Sequence, residues 1–332
     1  MDKLTQLYQK SVSRRNFLAG ASAVGAASVL AGCSNNGPYL PPTTTTPPVV
    51  PPTPPPAVSD ADILNFALNL EYLEAEFYLR AATGFGLAAG DVGTGAGAVT
   101  GGAKVPTTSV LQQNIINEIA YDEQQHVKFL RSAITAAGAT PVDRPVIDLM
   151  TSFNTLAAAA GIAPAFNPFA DFNSFLVGSF IFEDVGVTAY TGAATLISSS
   201  AILSAAAGIQ AVEAYHAAYV RTALTGSAIQ AAAAGTVYPY LGYANQVSAL
   251  RATLGGGNEV PLTLPTTVST PSSIVAADSK NAIAFARTTD QVLHIVYGSL
   301  SNTAGATSPA AGVKSGVFFP NGLNGNITVT QS

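Results

Sequence analysis

The sequence predicts an all-α protein: a four-helix bundle with one long crossover between its second and third helices, followed by an irregular C-terminal extension. Three observations carry this. Four stretches, near 59–82, 108–137, 171–198 and 200–225, read as long helices from their apolar periodicity and their caps. The third and fourth are separated only by Ser-rich residues, whereas 139–170, with several prolines, separates the second from the third. A short connection after a long one suits a bundle with one crossover rather than a simple up-down bundle. The chain has 332 residues, 48% hydrophobic and only 10% charged, enough to bury a substantial core.

The first 32 residues read as a targeting segment and stand outside the fold. SRRNFLAG at 13–20 resembles a twin-arginine export motif, with Arg14 and Arg15 before Phe17 and Leu18 and a mild Ala/Gly-rich apolar run after them. LAGC at 30–33 resembles a bacterial lipobox, in which Cys33, the sole cysteine, is acylated and becomes the first mature residue. The chain is therefore expected to leave by the twin-arginine route. It is expected to be lipid-anchored in the bacterial cell envelope, on the periplasmic or outer-surface side, with the membrane as a partner through Cys33. One cysteine allows no intrachain disulfide. Residues 33–58 form a Pro/Thr-rich tether stiffened towards polyproline II. Apart from 17–32, no apolar stretch reaches the roughly 20 residues of a bilayer span without a charge or a proline, so the mature chain is expected to be soluble. The net charge is −5, and residues after 32 hold 10 basic against 18 acidic side chains, a balance that speaks against nucleic acid.

Helical periodicity starts at SDADILNFALNLEYLEAEFYLRAA, 59–82, where Ser59 or Asp60 is a natural N-cap. A Gly-rich loop, 83–106, leads to a helix from Thr108 or Ser109 to about Ala137, stopped by Gly138 and Pro141. The crossover holds a short helical piece near 146–160. The third helix spans about 171–198 and the fourth 200–225, ended by Gly226, so the bundle occupies 59–225. The extension, 226–332, carries two short helical candidates, 243–254 and 288–297, closes in a loop or short strand, and is expected to pack on the bundle.

The second helix contains YDEQQH at 121–126 and the fourth contains QAVEAYHAAY at 210–219. Glu123 with His126 and Glu213 with His216 thus repeat one Glu-x-x-His spacing. Three residues rise about 4.5 Å with about 300° of rotation, so each pair looks out from one helix face and can grip one ion. With eight glutamates in the chain, a given histidine has roughly a 2% chance of such a partner, and two of three by accident is about 0.2%. Repetition is therefore the signal. Glu213 sits in a nearly uncharged stretch from Asp184 to Arg221, where a buried carboxylate is costly unless paired or bound to a cation. A complete dinuclear site needs a carboxylate from each remaining helix. The first offers Glu71, Glu74 and Glu76; the third offers Glu183 in SFIFEDVGVTAY.

This arrangement resembles the ferritin-like di-iron carboxylate family, in which two bundle helices each give a Glu and two give Glu-x-x-His. LEYLEAEFYL at 70–79 is similar to that family's first-helix motif, LE with Tyr seven residues on. The resemblance implies a ferritin-like bundle with Glu71, Glu183, His126 and His216 as terminal ligands and Glu123 and Glu213 as bridges. Glu74 is a candidate second-shell or entry-path carboxylate, Glu76 is expected to be exposed, and Asp184 solvated. Tyr78 and Tyr190, each seven residues beyond a terminal glutamate, are candidates to hydrogen-bond ligands or relay an electron, core packing being the default. Four carboxylates and two imidazoles neutralise two divalent ions, which suits two iron ions, with manganese or a mixed Fe/Mn pair as alternatives.

The order of signal, tether, bundle and extension is similar to the bacterial desiccation-related ferritin-like proteins. The resemblance then implies a di-iron oxidoreductase, ferroxidase or peroxidase-like, that oxidises Fe(II) or another reductant with O2 or peroxide in envelope stress protection. A non-enzymatic stress protein with a structural metal, and an oxygenase with an apolar substrate pocket, are the competing readings. A dimer through the bundle face fits; a long first loop, a lipid anchor and the extension speak against a ferritin cage. His294 has only Asp290 at helical spacing and is expected to be structural.

Overall fold

The computed structural model describes residues 58–163, 165–264, 274–298 and 312–329. Arg14, Arg15, Cys33 and the tether lie outside these residues. Seven helices and two short strands stand among the described residues: α1 (Asp60–Thr83), β1 (Val99–Gly101), α2 (Val110–Ala136), β2 (Ile147–Leu149), α3 (Thr151–Ala159), α4 (Phe172–Ala193), α5 (Ser200–Ala233), α6 (Pro239–Leu254) and α7 (Thr289–Tyr297). No described helix is long and apolar enough to cross a membrane.

Local chemistry sets the starts of the bundle helices. Ser59 caps α1 in a reciprocal pair with Asp62, and Ser109, Asp171 and Ser199 each accept the amide three residues on at the heads of α2, α4 and α5. Asp60 then accepts amides from Ser198 and Ser199, which ties the turn between α4 and α5 to the head of α1. α1 packs along α2 and α4 along α5 as the two most extensive helix pairs. Gln113 reaches Ala82 while Arg131 reaches Tyr72, so the first pair runs antiparallel. The long connection before α4 carries β2 and α3, and β2 pairs in parallel with β1 from the first loop, Val99 opposite Ile147.

Three boundaries differ from the sequence expectation. α4 ends at Ala193 and continues only as a 3₁₀ turn, Ala194–Leu196. α5 runs through Gly226 to Ala233: one half-buried glycine costs about 1 kcal/mol, and the alanine-rich SAIQAAA after it restores the helix until Gly235 turns left-handed at φ +67°. The expected crossover helix near 146–160 is a strand followed by a shorter helix. Neither strand is visible in the sequence, because three residues of local pattern do not announce a partner almost fifty residues away.

The core beneath the bundle is aromatic. Phe77, Phe153, Phe169, Phe175 and Phe182 pack with Phe318 of the extension, ring centroids 5.1 to 6.4 Å apart. The extension docks on α1 and α4 through backbone as well as side chains. Asn69 and Asn324 exchange hydrogen bonds of 2.8 and 3.0 Å, and Arg287 donates its amide to the Thr188 carbonyl at 3.0 Å. That approach needs Gly192, where a Cβ would fall 1.8 Å from the Arg287 carbonyl oxygen.

Candidate metal centre

Antiparallel packing brings the two Glu-x-x-His pairs face to face, and α1 and α4 close the space between them. The six sequence-selected residues converge in two groups that share Glu123: Glu71, Glu123, His126 and Glu213 in one, Glu123, Glu183 and His216 in the other. Within each group the potential ligand atoms all lie within 4.8 Å of one another. His126 Nδ1 stands 3.2 Å from Glu71, 3.2 Å from Glu123 and 3.6 Å from Glu213. His216 Nδ1 stands 3.0 Å from Glu123 and 3.5 Å from Glu183. Glu213 joins the first group alone, so the shared position belongs to Glu123.

The two tyrosines touch carboxylates across the bundle. Tyr78 of α1 donates to Glu183 of α4, and Tyr190 of α4 donates to Glu71 of α1 at 2.5 Å. Each phenol holds one oxygen of a terminal glutamate and leaves the other facing the centre. Asp122, which the sequence reading passed over, accepts from His216 Nε2 at 3.1 Å and so directs Nδ1 inward. Its signal was its place beside Glu123 in YDEQQH.

Two glutamates and an aspartate need separate treatment. Glu74 is buried and stands close enough to Glu71, Glu123 and Glu183 to feel their charge, but belongs to neither group. Glu76 is not exposed: it is fully buried, where Arg144, Arg80 at 3.0 Å and the Leu87 amide hold it. Asp184 is not solvated either, being bound at 2.8 Å by both Arg221 and Arg251. Arg144, Arg221 and Arg251 each lie 37 or more residues from the carboxylate they bind, so helix position alone could not reveal these partners. His294 is buried in α7 and belongs to neither metal group.

The donor set fits a pair of cations. Buried Oε2 of Glu71, Oε1 of Glu123, Oε2 of Glu183, both carboxylate oxygens of Glu213 and Nδ1 of His216 have no hydrogen-bond partner. Orphaned buried acceptors on this scale are costly, and a divalent ion satisfies several at once. Room for Glu213 comes from Gly186 of α4, where a Cβ would fall 2.2 Å from its Oε2.

Electrostatics describe the same demand. Burial pushes the Glu71 carboxyl up to about 7 against the pull of the His126 charge. Burial, then the neighbouring carboxylates, lift Glu213 well above the ordinary range. Glu123 moves the opposite way: burial opposes its charge, but the hydrogen bond from His126 and the facing charges of both imidazoles hold it low. Burial also opposes charge on the imidazoles, yet the facing carboxylates prevail, raising His126 to about 12 and His216 in the same direction. Protons thus balance the excess negative charge, and a cation would replace them.

Comparison with known proteins agrees with this geometry. A family model described as the ferritin-like domain matches residues 59–226. Two plant proteins are similar over most of their length. One, named ferritin-like catalase Nec2, from Nesocodon mauritianus, is 31% identical over 81% of this chain and 85% of its own. The other, named desiccation-related protein PCC13-62, from Craterostigma plantagineum, is 32% identical over 76% of this chain and 81% of its own. The chain belongs to the ferritin-like domain family.

Proposed function

We propose that this ferritin-like chain binds two divalent metal ions, iron before manganese or a mixed pair, and uses them to consume hydrogen peroxide or O2. The observation that carries the reading is the convergence of Glu71, Glu123, His126, Glu183, Glu213 and His216, with buried atoms of all but His126 left unpaired. Two such ions, when bound, would let peroxide take up two electrons and two protons in one event and leave as two waters, with no one-electron oxygen radical released. The chain's own residues do the rest. Glu123 spans both positions, Tyr78 and Tyr190 hold the terminal glutamates, Asp122 holds His216, and the surrounding core excludes bulk water. The catalase name of one relative supports peroxide as the oxidant. Fe(II) or another reductant supplies electrons where the reaction is not a simple disproportionation.

The setting is part of the proposal. Twin-arginine export through Arg14 and Arg15 and acylation at Cys33 would place the folded, loaded protein on a bacterial envelope, in the desiccation-related group, as a defence against oxidants. Cell fractionation of wild type and Cys33→Ala tests this; the variant should lose its membrane association.

A second reading has two observations in its favour: the metal groups draw on all four bundle helices, and one relative is named for desiccation. The ions would then only staple the bundle. Peroxide decay and Fe(II) oxidation by the loaded protein decide between the two. Turnover that disappears in Glu123→Ala, Glu213→Ala supports the enzyme; a loaded protein that melts higher yet turns over neither substrate supports the staple.

A further inference from the structure

Glu74 sits one turn beyond Glu71, is buried, and makes no hydrogen bond or ion pair among the described residues. Its oxygens are not among the fully enclosed orphaned atoms of the centre, so they open on space that a water-sized molecule can reach, where a hydrogen-bond donor would satisfy them. It faces a small cavity whose other walls are apolar: Leu73, Phe182 and the flank of Gly186 from the bundle, Val296 and Phe318 from the extension. Gly186 is also the residue that makes room for Glu213, so the metal centre lies directly behind this wall.

Size narrows the occupant. The cavity offers about 20 Å³, whereas the open groove outside His216, between Ile119, Val212, Tyr215 and Tyr219, offers about 380 Å³ by the same measure. A water needs roughly 10–15 Å³, so the inner space suits two bonded oxygens and shuts out any organic ring. Chemistry narrows it again. O2 donates no hydrogen bond and gains nothing from Glu74; hydrogen peroxide has two O–H donors. We propose that this cavity is a binding site for hydrogen peroxide, with Glu74 as its hydrogen-bonding wall and the C-terminal extension as its outer seal. The proposal rests on the peroxide-consuming reading of the centre, and it gives Val296 and Phe318 of the extension a part in selecting the oxidant.

The test uses the full chain. In crystals loaded with redox-inert Zn(II) and soaked in peroxide, two-oxygen density should stand against Glu74 in wild type. It should be absent in Glu74→Leu and in Val296→Phe, which fills the cavity without touching a carboxylate. In iron- or manganese-loaded protein, Val296→Phe should raise the peroxide KM about tenfold or more with metal content unchanged, roughly the worth of one hydrogen bond. An empty wild-type cavity, or a single-atom density that soaking does not alter, overturns the site, as does a wild-type KM in both variants. Two-oxygen density in a protein that turns over no peroxide upholds the site and sinks the catalytic reading instead.

Discussion

Glu183 and Asp184 are neighbours in α4, both buried, and they serve two charged regions built on opposite principles. Asp184 belongs to a network in which opposite charges meet. Arg221 and Arg251 bind it, Arg251 and Arg287 bind Glu259 at 2.7 and 2.6 Å, and Arg251 stacks 4.5 Å over Phe180. Glu183 belongs to a cluster in which like charges meet: Glu71, Glu123 and Glu213 converge on the same space with two imidazoles between them. The arginine network spends its charges on holding the extension to the bundle; Arg221 also donates to the Ile274 and Val260 carbonyls. The glutamate cluster, beyond its two tyrosine bonds between α1 and α4, turns its remaining oxygens towards one another. Where buried charges are matched the region is structural, and where they are left unmatched on one side the region is built for a ligand.

Substitutions should separate the two regions. The largest effect is expected from Asp184→Ala, which removes the carboxylate that two buried guanidiniums share, Arg251 keeping Glu259. Loss of one partner of a buried pair costs about 3–5 kcal/mol, and denaturant unfolding should show it. Any folded fraction should keep its metal content. Gly186→Ala should do the reverse. The new Cβ meets only the flexible end of Glu213, so the metal-free fold should lose less than about 1 kcal/mol. Displacing a ligand should nonetheless weaken metal binding about 10–100-fold, the range seen when ligand positioning is disturbed. Tyr78→Phe and Tyr190→Phe should each weaken it about tenfold, measured by competition with a chelator. Glu213→Gln should raise the stability of the metal-free protein by about 1 kcal/mol, as relief of a strained site commonly does, while uptake of metal falls.

Acidity offers the smallest and most graded test. Burial lifts Glu71 to about 7, so below that value the metal-free centre keeps a proton that a cation must displace. His126, raised to about 12, holds another throughout the physiological range. Metal affinity should therefore rise from pH 6 to pH 8 and protons should be released on binding, which calorimetry in buffers of different ionisation enthalpy would show. In the metal-free protein, a raised Glu71 contributes stability below about 4.5 that is lost as pH climbs through about 7.

Much of this contrast was legible in the sequence, and the limit is instructive. The repeated Glu-x-x-His named four cluster residues, and Glu71 and Glu183, each with a Tyr seven residues on, followed from the resemblance, because a helix fixes spacing and spacing fixes which side chains share a face. Glu76 and Asp184 were misread as exposed because their fate depends on Arg144, Arg221 and Arg251, brought near by the crossover and the extension. The tyrosines were placed beside the site, but their bonds reach 119 and 105 residues across the bundle, from Tyr190 to Glu71 and from Tyr78 to Glu183. Glu74 was marked as a carboxylate near the ligands; the cavity it faces needs α7 and Phe318, which no local pattern could set against it.

The central claim is that the unmatched cluster holds two metal ions per chain. Anaerobic titration of the metal-stripped protein with Fe(II), counted by elemental analysis after desalting, tests it most directly. The account predicts two ions per chain in wild type and none in Glu123→Ala, Glu213→Ala, while Asp184→Ala retains two in whatever fraction folds. A wild type that binds no iron, or a double variant that binds as much as wild type, would contradict it.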